Sequence, residues 1–551
     1  MTIGDQLPFA GACSLAQRGR LSVRGCTAGL SLATMRVRNG TQRTSTLVFC
    51  AVGGAIAGLM LVAQYLHRRL ATDGVAAPAA TRLGSSLVAT PSTSAVTDST
   101  PPLVPEGERC QILALPSWRP RLHLLTTVNL ARCGLRELPP SIGLCTRMRK
   151  LDLFGNPLAG LPDELVKCTA LDTLFVAGGT MPEMPRVLGR MGSITRLGLK
   201  DNGIEVVPGD AIPPNVVHLI LTHNSIRRLP LEAFGRLTRV RKLMLANNQL
   251  EELPAAGVAK LRALELARLS NNRLASVPTE LLSLPRLSWL ALAGNPLAPP
   301  SPTAVAPEAT AAELHVDEGM TLGQGASGKV LGGTYQGRPV AIKGFTVASS
   351  DGRAEDELAL YAAVAHPALV EVRAVLRSPS LAVIMEQLPK TMRDLAQPPT
   401  IVEVTTDRYD TGAQFSDAEA LFILRAVASA LNYLHGSLGV AHGDVYAHNV
   451  LVDSSATAVK LADFGAAFTY AGAARESGLD AGLIQRIEAR AFGVLVGELA
   501  SRIRTQGAGG SSTAADTLTQ LAESCMVPTV AARPDFNHIV GVLASVRVAQ
   551  Q

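Results

Sequence analysis

Eight copies of one spacing, L-x-x-L-x-L-x-x-N-x-L-x-x-L-P, constrain the middle of this chain more than any other feature. The clearest copy runs through Met148, Leu151, Leu153, Asn156, Leu158, Leu161 and Pro162. The others centre on Leu130, Val176, Leu199, Leu221, Leu245, Leu269 and Leu292, with successive centres 22 to 24 residues apart. The asparagine recurs at Asn202, Asn224, Asn248, Asn272 and Asn295, while Cys133 and Gly179 replace it in two copies. A unit this short cannot bury its own leucines, so neighbours must stack and share a core. The expected architecture is a solenoid over 108–297, each unit adding a short strand, with the Asn side chain hydrogen-bonding backbone at the bend. Leucines and asparagines are then scaffold. Function falls to the variable strand positions on the concave face: Lys150, Asp152, Thr173, Arg196, Lys200, His218, Lys242, Arg268 and Trp289. Several are basic, which suits an acidic partner surface; a solvated face is the alternative. Trp289 is the best single contact candidate, because tryptophan is enriched among interface hot spots.

A second constraint lies in the last quarter. His442-Gly443-Asp444-Val445-Tyr446-Ala447-His448-Asn449 is followed, after the short strands Val450–Val452 and Val459–Ala462, by Asp463-Phe464-Gly465. Phosphoryl transfer needs a carboxylate beside the attacking hydroxyl and oxygen ligands that hold a cation against nucleotide phosphates. This spacing offers Asp444 for the first task and Asn449 with Asp463 for the second. Upstream, Leu322-Gly323-Gln324-Gly325-Ala326-Ser327-Gly328-Lys329-Val330 fits a phosphate-covering loop, in which glycines let the backbone approach without Cβ clashes. Val340-Ala341-Ile342-Lys343 supplies a strand lysine, and Glu357 is its expected partner on the next helix, with Glu355 as fallback. Val383 to Leu388 reads as a strand entering a hinge, with Met385 and Glu386 beside the base pocket.

Taken together, these motifs resemble the eukaryotic-type protein kinase family over about 314–546, in a leucine-rich-repeat protein kinase arrangement. The resemblance implies ATP and Mg²⁺ as cofactors and a protein as phosphate acceptor, with Ser/Thr preferred over Tyr. It assigns the catalytic set to Asp444, Lys343 and Glu357, and the metal ligands to Asn449 and Asp463. Nucleotide contacts are assigned to Leu322, Gly323, Gly325, Gly328, Val330, Ala341, Lys343, Met385 and Glu386. Several positions depart from the family. Gly443 stands where most members carry Arg, and Tyr446 where Ser/Thr members carry a phosphate-contacting Lys. Glu488 replaces an Asp, and the segment from Asp463 to Glu488 lacks Ala-Pro-Glu. That absence leaves Arg533, matching a buried family Arg, in need of another carboxylate, for which Glu476 is a candidate. Two alternatives stay open: a nucleotide-binding scaffold without turnover, and a kinase acting on a small molecule.

The N-terminal region adds a membrane expectation. From Leu47 to Leu66 run twenty uncharged residues, long enough at about 1.5 Å per helical residue to span a hydrocarbon core of about 30 Å. The resulting map is an Arg-rich leader over 1–46, a transmembrane helix over 47–66 and an Ala/Ser/Thr/Pro-rich linker over 67–107. Repeats follow over 108–297, then a linker over 298–312 and the kinase domain over 313–546. The expected fold class is an α/β solenoid followed by a two-lobed α+β domain, behind one membrane helix. With no apolar span between them, repeats and kinase lie on one side of a single-pass membrane. The Lys/Arg count before the span argues for export of that side, whereas the need for ATP favours the cytosolic side, with an organellar membrane as the alternative. A net charge of +6 over 551 residues, without a dense basic block, gives no support to nucleic-acid binding. The eight cysteines form no Cys-x-x-Cys pair and read as free thiols.

Overall fold

The computed structural model describes residues 30–38, 44–52, 106–299, 301–325, 328–345, 353–453, 457–473, 475–504 and 513–547. The chain divides into two compact units, 1–97 and 98–551. In the first, β1 (Leu30–Arg38) pairs antiparallel with β2 (Thr44–Val52) in a continuous register from Leu30↔Val52 to Arg38↔Thr44. This corrects the expected membrane helix at its start. Residues 47–52 belong to a strand, as the β-branched and aromatic run Thr44-Ser-Thr-Leu-Val-Phe favours. The remainder, 53–66, lies outside the described residues, as do the rest of the leader and most of the 67–107 linker. Among the described residues no helix is long and apolar enough to cross a membrane.

The second unit opens on the solenoid. Eight three-residue strands form one parallel sheet in chain order: β3 (Thr127–Asn129), β4 (Lys150–Asp152), β5 (Thr173–Phe175), β6 (Arg196–Gly198), β7 (His218–Ile220), β8 (Lys242–Met244), β9 (Leu266–Arg268) and β10 (Trp289–Ala291). Short 3₁₀ turns carry the chain back along the other side, replaced in later repeats by α1 (Leu231–Arg236), α2 (Ala255–Val258) and α3 (Thr279–Leu282). The asparagines do the bending work expected of them. Buried Asn224 accepts from the backbone N–H of Asn202 and Ile204 and donates to the carbonyls of Leu199 and Leu221. Each such amide satisfies backbone groups of two successive repeats, which fixes their spacing. One reading of the cysteines is corrected here. Cys110, in the turn before the first strand, is disulfide-bonded to Cys133, their Cα atoms 5.2 Å apart. A cysteine in the asparagine position brings that thiol to the capping turn. Cys145, Cys168 and Cys525 are free and buried, and burial pushes their thiols up to about 12, about 11 and about 12, so they stay protonated.

The kinase-like region has two lobes. In the small lobe β11 (Leu314–Gly325), β12 (Gly328–Tyr335), β13 (Arg338–Phe345), β14 (Val372–Leu376) and β15 (Ala382–Glu386) form an antiparallel sheet of order β11-β12-β13-β15-β14. Helix α4 (Ala354–Ala363) packs against it. The stretch expected to be a linker runs along this lobe, where Ala309 donates to the Val375 carbonyl at 2.8 Å and Val375 to Pro307 at 2.9 Å. In the large lobe, α5 (Asp417–Tyr433) starts from a capping box in which Ser416 and Glu419 bond each other's backbone N–H. Helices α6 (Ala481–Ala500), α7 (Thr513–Met526) and α8 (Phe536–Ser545) complete it. Strands β16 (Met392–Asp394), β18 (Val450–Asp453) and β19 (Val459–Leu461) form a small sheet behind the catalytic loop, and β17 (Val440–Ala441) pairs with β20 (Phe468–Thr469) on either side of it.

The apolar cores do not respect the boundary between repeats and kinase. Ala441, Phe468, Ile484, Ile487 and Val530 join the repeat leucines, while Leu266 and Trp289 join the large-lobe core. The two regions are packed as one body.

Candidate active site

The β12–β13 pairing sets Val330 opposite Lys343, and β13–β15 sets Ala341 opposite Met385, so the expected nucleotide residues share one sheet face region. Leu322 is exposed, Gly323 pairs with Val330, and Gly325 faces Gly328 across the hairpin. A Cβ on Gly328 would lie 2.1 Å from the Gly344 carbonyl, so that position has room for hydrogen only. The loop tip, 326–327, lies outside the described residues. Glu386 sits at the end of β15, where its carboxylate pairs with Lys460 at 2.7 Å.

Lys343 reaches Glu357 of α4 at 2.5 Å and Asp463 at 3.3 Å. Glu355 is not used for this pair. Burial opposes the lysine charge, but Tyr361, Asp463 and Glu357 outweigh it and hold the ammonium above its ordinary pKa. Asp463 adopts a left-handed backbone, φ +66°, and Phe464 beside it is buried. The Phe464 ring stands edge-on to Tyr361 of α4 at 5.1 Å and lies 5.2 Å from His442 of the catalytic loop. Small-lobe helix, Asp463 segment and catalytic loop are thereby packed against one another.

The catalytic loop is anchored from below by Glu488 on α6. Its two oxygens accept from the backbone N–H of His442 (3.1 Å) and Gly443 (2.6 Å), and His435 Nε2 lies 2.8 Å away. Burial would raise this carboxyl; His435, His442 and the Gly443 N–H more than offset that and keep it ionised. Glu in place of Asp thus still caps two loop amides. Asn449 donates to both the carbonyl (2.8 Å) and Oδ2 (3.0 Å) of Asp444. The loop's far end is held by the irregular stretch 398–414 between β16 and α5. Asp407 accepts from the His448 backbone N–H and lies 2.7 Å from its Nδ1. Burial lowers the His448 pKa, but the hydrogen bond and charge of Asp407 prevail and raise it.

Residues outside the expected set complete the site. Arg268 of β9, buried, donates Nη1 to the Gly443 carbonyl at 2.9 Å and Nη2 to Asp444 Oδ1. Trp289 of β10 stacks on Tyr446 with ring centroids 4.3 Å apart and 3° between planes, and its Nε1 donates to the Val445 carbonyl at 2.9 Å. The stretch 398–414 also enters the concave face, where Arg196 donates to the Ile401 carbonyl and Thr405 bridges Arg241 and Glu265. Burial would raise the Asp444 carboxyl; the Arg268 guanidinium overrides this and holds it below the ordinary range. The concave positions read as a partner surface are therefore, from β6 to β10, largely taken by the chain's own catalytic lobe.

One more expectation is corrected. Arg533 is buried without Glu476: it donates to the carbonyls of Val527 (3.0 Å), Arg486 (3.3 Å) and Pro285 of the repeats (2.8 Å). Backbone oxygens take the role of a carboxylate, and burial lowers its pKa to about 10. In the stretch 398–414, Tyr409 donates to Glu498 of α6 at 3.1 Å, and burial with Asp407 nearby raises Glu498 to about 7. Below pH 4.5 both folded and unfolded states hold that proton; as pH rises to about 7 only the folded state does, so stability falls across this window. Glu498→Gln should remove this slope, leaving the variant about 2 kcal/mol more stable relative to wild type at pH 7.5 than at pH 4.5. Urea unfolding at the two pH values measures it, and parallel pH curves would refute the assignment.

Both regions are similar to known proteins. A protein kinase domain model matches residues 316–479, and a leucine-rich repeat model matches 192–250 and 238–297. A probable serine/threonine-protein kinase of Dictyostelium discoideum is 31% identical over 147 residues, 26% of this chain and 8% of that protein. The megakaryocyte-associated tyrosine-protein kinase of Rattus norvegicus is 30% identical over 153 residues, 28% of this chain and 30% of that protein. The match thus spans less than a third of either relative. A leucine-rich-repeat protein structure from Leptospira interrogans is 26% identical with a TM-score of 0.30, covering 32% of this chain and 45% of that one. The chain carries a protein kinase domain preceded by leucine-rich repeats.

Proposed function

We propose that this chain transfers the γ-phosphate of ATP, with Mg²⁺, to a protein hydroxyl, serine or threonine ahead of tyrosine. The observation that carries the reading is the pairing of two clusters, Lys343–Glu357–Asp463 and Asp444–Asn449, which adjoin where Ala462, next to Asp463, donates to the Asn449 carbonyl at 2.9 Å. The residues suit the cofactors. Asp463 and the Asn449 amide, whose Nδ2 already serves Asp444, offer the hard oxygen donors Mg²⁺ prefers. Among the described residues no group of three or more His, Cys, Asp or Glu converges, so such an ion would take its other ligands from phosphates and water. Mg²⁺ would supply charge neutralisation on the phosphates. Lys343, held by Glu357, orients them, and Asp444 orients the acceptor hydroxyl and takes its proton. The start of the concave face before β6, with Lys150 of β4 exposed, is where we place a protein partner.

The full chain incubated with radiolabelled ATP, Mg²⁺, myelin basic protein and a Glu/Tyr polymer should label the first on Ser or Thr, and EDTA should abolish labelling. Labelling of the polymer alone would reverse the residue preference. Nucleotide binding without transfer would support the scaffold reading, which the Arg268 guanidinium seated on the Asp444 carboxylate favours.

A further inference from the structure

The catalytic loop 442–449 contains no Lys or Arg of its own, with Gly443 and Tyr446 at the two positions noted above. The guanidinium at its carboxylate comes instead from the repeats, 176 residues earlier in the chain. Its two ends are used differently. One amino group holds the loop backbone at the Gly443 carbonyl; the other holds the Asp444 side chain at Oδ1. Asn449 holds Oδ2 from the opposite side, so the carboxylate plane is fixed between two donors. A planar fork of this kind restrains backbone and side chain together, which a point-charge ammonium does less well.

The contact could be a removable cover, but its construction argues for permanence. Val277 of the repeats donates backbone to backbone to Ser477 at 2.9 Å. A Cβ on Gly478 would lie 2.1 Å from the Val277 carbonyl, so the chains touch at main-chain distance. Arg353, just before α4, donates to Asn271 at 2.7 Å, tying the helix that carries Glu357 to the same solenoid. Parting the two would strand Arg533 without its Pro285 acceptor and expose Trp289, Leu266 and Ile487. Obligate interfaces, not transient ones, are built like a core cut in half.

We propose that Arg268 is a positioning residue of the phosphotransfer site, supplied by the repeats, which fixes the Asp444 carboxylate and the loop backbone for attack by the acceptor hydroxyl. This rests on the kinase reading above. The repeats are then a structural part of the active site, with their concave face built around the loop they complete.

Steady-state kinetics of the full chain with ATP and myelin basic protein test it, comparing wild type, Arg268→Gln and Arg268→Lys. Trp289 emission, read in a Trp118→Phe background because the chain has only two tryptophans, reports whether the loop stays docked. Arg268→Gln should lower kcat about 10- to 100-fold. The KM for ATP should move less than about twofold. Arg268→Lys should recover part of the loss, and Trp289 emission should remain that of a buried ring in both. A kcat equal to or above wild type in Arg268→Gln would overturn the proposal and make the repeats a cover. So would a kcat loss in both variants that occurs only with red-shifted Trp289 emission, which marks a merely structural contact. Transfer absent from wild type but present in Arg268→Gln overturns positioning while leaving the kinase reading intact; transfer absent from all three overturns both.

Discussion

Asp444→Asn is expected to lower kcat about 10³-fold, equivalent to about 4 kcal/mol of transition-state stabilisation. The amide matches the carboxylate in shape but cannot take the acceptor's proton. Binding of ATP should survive, because Lys343, Glu357 and Asp463 form a separate cluster. A second consequence is specific to this chain. Arg268 is buried, and its partner carboxylate is about a fifth exposed. Neutralising Asp444 removes the ion pair, leaving the Gly443 carbonyl still held by that guanidinium, and turns one amide NH₂ toward the donor of either Arg268 or Asn449. Loss of a mostly buried pair by removing one charge costs about 2–3 kcal/mol here, less than for a fully dry pair. The variant should therefore be both inactive and less stable, its urea midpoint lower. Retention of wild-type stability would show that the Arg268–Asp444 contact contributes little energy, and retained transfer would move the base elsewhere.

The repeats were legible because the pattern is a period: leucines every two or three residues and an amide at each bend permit few other folds, and the eight strands begin where the spacing places them. Lys343, Glu357, Asp444, Asn449 and Asp463 could be picked out together because phosphoryl transfer asks for these residue types at fixed offsets; the structure holds them as two clusters, Lys343–Glu357–Asp463 and Asp444–Asn449, adjoining where Ala462 donates to the Asn449 carbonyl at 2.9 Å. What covers the concave face was not legible. Arg268 and Trp289 sit at variable positions, where a side chain waiting for a foreign partner and one bound to the same chain look alike in sequence. The hint was indirect, a glycine at 443 that leaves room for another backbone. Arg533 misled for a related reason: the sequence shows charges that could pair, but not carbonyls, and three carbonyls satisfy it. Along 47–52, hydropathy alone did not separate a membrane helix from a strand, and the run of β-branched and aromatic residues was the better guide. The Cys110–Cys133 bridge escaped notice because its two cysteines lie in different repeat-scale turns, brought together only by the stack.

Gly443 itself carries the other large effect. Restoring the arginine that most protein kinases have there should not improve this protein but unfold or disable it. The residue has φ +73°, a left-handed backbone that costs any residue with a Cβ about 1–2 kcal/mol. A Cβ would also lie 2.6 Å from the Ala466 carbonyl and 2.7 Å from the Leu290 carbonyl of β10. Neither oxygen is the end of a flexible side chain: one belongs to the segment after Asp463, the other to the solenoid. One of the two backbones must move, and Glu488 holds the Gly443 N–H at 2.6 Å from beneath, so the loop cannot move away. Together these effects should cost about 4 kcal/mol or more, in the range reserved for severe backbone and core lesions. Because the conflict begins at Cβ, Gly443→Ala should destabilise nearly as much as Gly443→Arg. Gly412→Ala is the control, with φ +78° but nothing within 4 Å of its Cβ, so it should show the conformational strain alone. If Gly443→Ala proves no worse than Gly412→Ala in urea unfolding, the repeats do not press on the catalytic loop. A gap of about 2 kcal/mol or more between the two would measure that pressure directly.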